Sequence, residues 1–264
     1  MLISILRSAV LESVLQGVLL LGSILTAVRL FRTGLYRRYP FFFLYFVLRI
    51  PNSLWPLFLD TSSNTYLHVW VFTEPVFVVL YVLMVFELYR LVLEKYEGLY
   101  TLGRWAMYLF GTISLGVSAL TLIPRIRPTA PQSSKILGYF FAIERGVDFS
   151  LAIFLILLLF FLALFPVKLS RNVRVHAIIY PVFFLSNTLA LLMRGLFGMQ
   201  HVDQFNAVFS VVSVAAMIAW LVLLSPEGEE APAHTQVSAG HDFESRALIH
   251  LSSLNATMLR VSRQ

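Results

Sequence analysis

The sequence predicts an all-α, polytopic integral membrane protein with seven transmembrane helices. Three observations predict it. The chain is 58% hydrophobic and only 13% charged, where soluble domains carry about 25% charged residues. Its mean hydropathy is +0.80. Seven apolar runs approach or exceed the roughly 20 residues needed to cross a bilayer core.

The spans fall near 9–31, 40–59, 67–91, 104–124, 137–166, 175–198 and 204–225. Residues 1–225 thus form one transmembrane domain. The first residues, MLISILRSAVLES, carry one Arg and no small-residue cleavage site, so they lead into a retained first helix. Turn chemistry separates the spans: Thr33-Gly34, Asp60 to Asn64, Glu97-Gly98, Pro124 to Pro131, Pro166 to Asn172, and Gly198 to Asp203.

Loop charges set the direction. Arg29, Arg32, Arg37, Arg38, Arg90, Lys95, Arg104, Lys168, Arg171 and Arg174 lie on one side, against Arg7, Arg125, Arg127 and Lys135 on the other. The Lys/Arg excess marks the cytoplasmic side, so the N-terminus is outside and the C-terminus cytoplasmic. The net charge of +6 reflects this bias rather than nucleic-acid binding. The Asn255-Ala256-Thr257 triplet then faces the cytoplasm and stays unglycosylated. The chain has no cysteine, hence no disulfide and no thiolate chemistry. Plain, short loops without cysteine point to a bacterial inner membrane or an equivalent bilayer.

Besides Arg29, Glu87, Arg90 and Arg104 at the cytoplasmic span ends, seven charged residues sit within these spans: Glu12, Arg49, Glu74, Glu144, Arg145, Asp148 and Arg194. Each costs roughly 2.5–3.5 kcal/mol on an insertion scale, so they must be paired, wetted or used. Helix rise places nearly all of them in the outer half, as four acids against three arginines. Glu144 and Asp148, four apart on one face, repel unless an arginine or a proton intervenes. Gln16, Asn52, Asn187 and Asn206 extend the polar set. Pro51, Pro75 and Pro181 interrupt helix hydrogen bonding nearby. Glu87 and Arg90, three apart at the inner end of the third span, are placed to pair locally.

Spans 1–3 and 5–7 share a pattern. Leu11-Glu12 with Gln16 matches Ile143-Glu144 with Asp148. Tyr39-Pro40 with Phe42-Phe43-Leu44 matches Tyr180-Pro181 with Phe183-Phe184-Leu185. His68-Val69 with Phe72 matches His201-Val202 with Phe205. Arg49 and Arg194 hold similar places on the second helix of each triplet. A parallel three-plus-one-plus-three repeat follows, with the fourth span as inverting linker. That arrangement resembles, in topology, the SWEET sugar-transporter and PQ-loop fold, and the resemblance implies a site between the repeats near mid-membrane. The prolines that family places in the first helix of each triplet are missing: span 1 has none and span 5 only Pro166 at its end.

Other chemistries fail on particular residues. Lys95, Lys135 and Lys168 lie in loops or at helix ends, so no retinal Schiff base can form. Glu87-Leu88-Tyr89-Arg90 has the wrong order for a G-protein-coupled receptor, and the last span lacks Asn-Pro. Ser118 and His176 differ by roughly 20 Å in depth, which rules out a nucleophile–base pair. No metal or cofactor motif is present. His68 and His201 read as interfacial histidines. Tyr36, Tyr39, Trp55, Tyr66, Trp70, Trp105 and Trp220 read as an interfacial belt.

After Pro226 the composition turns polar. Residues 226–242 read as a flexible linker. In residues 243–264, Ala247, Leu251, Leu254, Met258 and Val261 form one seam of an amphipathic helix flanked by Arg246, Arg260 and Arg263. That helix suits the anionic inner leaflet, or a partner or second copy docking on Phe243 to Arg263.

The sequence therefore points away from an enzyme and toward a small-solute or proton-coupled transporter. Its outward-facing polar cavity would draw on Glu12, Arg49, Asn52, Glu74, Glu144, Arg145, Asp148, Asn187 and Arg194, with no metal or cofactor. The arginines would hold an anionic group and a carboxylate would carry the proton. Two alternatives stand beside it: a membrane sensor signalling through the tail helix, and a scaffold whose charges form a structural ion-pair network.

Overall fold

A computed structural model of the chain describes residues 2–58, 63–93, 105, 108, 112, 132–164, 169–197, 202–229, 249, 252 and 253. Six long helices stand among them: α1 (Leu2–Arg32), α2 (Pro40–Phe58), α3 (Asn64–Val92), α4 (Gln132–Leu164), α5 (Arg171–Phe197) and α6 (Val202–Leu223). They correspond to six of the seven expected spans. The span expected at 104–124 lies outside the described residues apart from Trp105, Tyr108 and Thr112, which are helical. No strand occurs among the described residues.

Four of the helices contain segments long and apolar enough to cross a membrane: Val14–Arg32, His68–Val92, Ile143–Leu162 and Arg171–Ala190. Their outer faces are strongly apolar. Phe31, Phe72 and Phe160 on these helices, and Val208 and Val222 on α6, are all more than half exposed, a pattern that water does not tolerate over such an area. The chain is a helical membrane protein.

Local chemistry sets the element ends. Gly34 adopts φ 75° in the turn between α1 and α2, a left-handed conformation that costs other residues roughly 1 kcal/mol. Pro40 opens α2, where its missing N–H matters least. Ser63 caps α3 by accepting the Tyr66 N–H at 3.1 Å. Arg29 and Arg32 end α1 near its exposed carbonyls.

Each helix packs on the next, and α6 closes the ring against α1, with α3 also touching α5 across the middle. Trp70 meets Phe140, and Tyr89 meets Phe154, so α3 and α4 run in parallel. Gly22 lies against Met217, and Arg29 donates to the Leu221 carbonyl, so α1 and α6 also run in parallel. The turn from α1 to α2, the C-termini of α3 and α6 and the N-terminus of α5 gather at one end, called here the basic end. It exposes Arg32, Arg37, Arg38, Arg90, Arg171 and Arg174.

Lipid tails are as apolar as leucine, so helices associate in a bilayer through close packing rather than water exclusion. Here that packing is aromatic. Phe42, Phe46, Tyr180, Phe183 and Trp220 meet edge-on or tilted at 5.0–6.2 Å, contacts worth roughly 0.5–1.5 kcal/mol each beyond burial. Tyr81 of α3 joins the cluster through Phe183 and Phe184. Trp220 and Tyr39, expected in an interfacial belt, are instead buried in this core. Both sit on the inward face of the ring, where depth alone did not place them.

The Tyr-Pro match between the triplets falls at unequal depths. Pro40 starts α2, whereas Pro181 lies ten residues beyond the start of α5 at Arg171, a displacement of about 15 Å along the axis.

Candidate functional site

A cavity of about 180 Å³ opens between α1, α2 and α3, away from the basic end. α1 contributes Gln16 and Leu19. α2 contributes Arg49, Asn52, Ser53 and Trp55. α3 contributes Tyr66, Val69, Trp70, Thr73 and Glu74. Helical spacing explains the polar set: Arg49 and Asn52 are three apart and share a face of α2, as do Trp70, Thr73 and Glu74 on α3. Thr73 donates to the Val69 carbonyl at 2.9 Å, so its hydroxyl proton is used within its own helix. The Arg49 guanidinium lies 5.9 Å from the Phe77 ring centroid, a cation–π contact. Among the described residues, neither Arg49 nor Glu74 forms a hydrogen bond or an ion pair, with each other or with any other group. They nevertheless lie within electrostatic reach of one another.

A second polar cluster lies between α4 and α5. Asp148 is wholly buried, and Asn187 donates to its Oδ2. Its Oδ1 has no partner among the described residues. Glu144, one turn earlier on α4, is also buried. Tyr81, buried on α3, stands within reach of Arg49, Glu74 and Asp148 and so lies between the two clusters. Arg49 also feels Glu144. Among the described residues no group of three His, Asp or Glu is placed to hold a metal ion.

The nine residues expected at a site thus divide. Arg49, Asn52 and Glu74 line the cavity. Glu144, Asp148 and Asn187 form the neighbouring cluster. Arg145 is half-buried on α4 and does not line the cavity. The side chains of Glu12 and Arg194 lie outside the described residues, as do those of His201 and Asn206. Sequence reasoning missed Tyr81, Ser53 and Thr73, and it assigned Trp55, Tyr66 and Trp70 to the bilayer interface. A tyrosine at mid-span, far from either interface, was the available signal for Tyr81.

No family model, curated protein or solved structure matches this chain. What the bundle can do follows from its side chains.

The basic end holds two further constellations. Glu87 was expected to pair with Arg90. Instead its carboxylate accepts the N–H groups of Phe41 and Phe42 at 3.2 and 3.3 Å, while Arg90 is exposed and no ion pair joins the two among the described residues. The start of α2 has free N–H groups and no capping side chain of its own, so a buried acid from α3 supplies the cap.

The segment after α6, expected to begin a flexible linker, first makes a 3-10 turn at Pro226–Glu229. Glu229 accepts from the Tyr39 hydroxyl at 2.7 Å and from Asn172 Nδ2 at 2.6 Å, with Arg38 at 3.9 Å. Asn172 also donates to the Ser225 carbonyl at 2.7 Å and accepts the Ser225 N–H at 3.3 Å. Burial, together with the Glu229 carboxylate, pushes the Tyr39 phenol well above its ordinary value, so it stays a donor. Gly228 lies flat against the Asn172 amide, where a Cβ would collide. The rest of the linker and the seam at 243–264 lie outside the described residues, apart from Ile249, Ser252 and Ser253, which are helical.

Proposed function

We propose that this chain is a small-solute transporter whose solute enters the cavity between α1, α2 and α3 from the outer face. The observation that carries this reading is a cavity that holds an arginine and a glutamate, each unpaired among the described residues, inside a bundle whose described helices turn apolar faces outward. A structural ion-pair lattice would join Arg49 to a carboxylate. Here the guanidinium faces space that a solute can occupy, and charge left in hydrocarbon without a partner points to function. The buried carboxylates Glu144 and Asp148 stand close enough to be the groups that carry a coupled proton.

The full arrangement is seven spans with the N-terminus outside, in a bacterial inner membrane or its equivalent, and without enzymatic chemistry. Two triplets running the same way, with the span at 104–124 between them, fit the parallel repeats of transporters. The direct test is flux in proteoliposomes for L-alanine, glycine betaine, glucose and acetate. Saturable uptake of at least one solute, abolished by Arg49→Ala and uncoupled from a proton gradient by Glu144→Gln, is expected. No flux of any of the four would overturn the reading.

A sensor is the second reading, favoured by the turn at Pro226–Glu229, which fastens the base of the tail to α2 and α5. A partner captured by residues 243–263, with no flux, would support it instead.

A further inference from the structure

We infer that the cavity binds a small zwitterion: a solute with a carboxylate and an ammonium nitrogen a few bonds apart. This rests on the reading of the cavity as a solute site and names the solute's chemical class.

The argument begins with two opposite charges that share one cavity and leave each other unpaired. Arg49 and Glu74 both line it, and no ion pair joins them among the described residues. Each remains open to a ligand. A simple anion placed on Arg49 would lie in the field of Glu74, and a simple cation on Glu74 would lie in the field of Arg49. A neutral polyol would bury both charges without a charged partner, the costly arrangement in a low-dielectric interior. A zwitterion satisfies both at once, its carboxylate taking the forked guanidinium donors and its nitrogen facing Glu74.

The other walls agree. Gln16 and Asn52 offer amides that can donate to a carboxylate or accept from a primary ammonium. Trp55, Tyr66 and Trp70 line the same space from α2 and α3. Aromatic faces attract ammonium groups, methylated ones above all. Size narrows the class. A cavity of roughly 150 Å³ admits benzene, so 180 Å³ takes a solute of about six to eight non-hydrogen atoms. L-Alanine and glycine betaine fit within it.

The experiment uses the full chain in lipid nanodiscs. Binding is read by calorimetry and by quenching of tryptophan fluorescence, since Trp55 and Trp70 line the cavity. The probes are L-alanine, glycine betaine, acetate, tetramethylammonium and glycerol. The zwitterions are expected to bind about 10- to 100-fold more tightly than either single-charge probe, the loss expected for one charged hydrogen-bonding partner.

Two variants should move the preference in opposite directions. Glu74→Gln should favour acetate over glycine betaine. Arg49→Gln should favour tetramethylammonium over glycine betaine. A merely structural role would not produce that reciprocal change. Equal binding of acetate and glycine betaine, no binding of any probe, or folded variants that keep the wild-type preference each overturns the inference. If a variant fails to fold, the wild-type order of affinities decides alone. Zwitterion binding without flux sinks the transport reading and leaves this inference standing. Flux of glucose or acetate alone does the reverse.

Discussion

Glu87 offers a sharp test of the packing logic. Its two carboxylate oxygens accept the N–H groups of Phe41 and Phe42, at 3.2 and 3.3 Å, at the start of α2. Replacing it with glutamine keeps one acceptor and turns an NH₂ toward a backbone donor. One charge-assisted bond is lost, and at these lengths the low end of its range applies, so Glu87→Gln should cost about 1.5 kcal/mol. Glu87→Ala removes both bonds, leaves two helix-terminal donors buried without a partner and opens a void. It should cost about 3–5 kcal/mol. Arg90, three residues on, is exposed, and Arg90→Gln should change stability by less than about 0.5 kcal/mol. The assay is thermal unfolding of purified protein in detergent, followed by tryptophan fluorescence. Similar losses for Glu87→Gln and Arg90→Gln would mean that the two residues act as a local pair, and the capping argument would fall.

Other outcomes follow from the same end of the bundle. His176 is wholly buried, and both ring nitrogens lack a partner among the described residues. Tyr39, Phe42 and Tyr180 enclose it at 4.6–5.1 Å. His176→Leu removes two polar atoms that lack a partner among the described residues, at similar volume, and should stabilise the bundle by about 1–3 kcal/mol; a drop in melting temperature would show that the imidazole has a partner such as ordered water. Asn172→Ala breaks three bonds to Ser225 and Glu229. It should free the tail, so limited digestion with a glutamate-specific protease should cut after Glu229 and Glu230 faster than in wild type. An unchanged rate would show that the turn is held by other contacts.

The helices were legible because apolar length is a strong signal, and the turn residues bounded them to within a few positions. The inward faces were not. In a bilayer both faces of a helix are apolar, so periodicity does not tell the protein side from the lipid side. Trp220 and Tyr39 were misassigned for that reason, whereas Arg49, Glu74 and Asp148 stood out because charge has only one tolerable side. The Glu87 contact was hidden because the three-residue spacing rule sees only one helix. The clue lay in α2, which opens with Tyr39-Pro40 and no Ser, Thr, Asp or Asn to cap it. The Tyr-Pro match misled because short aromatic motifs recur in apolar helices, and helix starts, not motif offsets, set depth.

Among the described residues, the hydrogen bonds that tie α2 to its neighbours lie at its start. Glu87 and the Tyr39–Glu229 bond pin its start, while Arg49, Asn52 and Trp55 line the cavity further along. It is a lever with its fulcrum at the basic end. Arg49 stands about 13 Å from that pivot and Trp55 about 22 Å, so a tilt of about 5° sweeps them through about 1 Å and 2 Å. The turn at Glu229 and the cavity thus share one helix, and Pro51 sits between Arg49 and Trp55 as the point where that helix can bend.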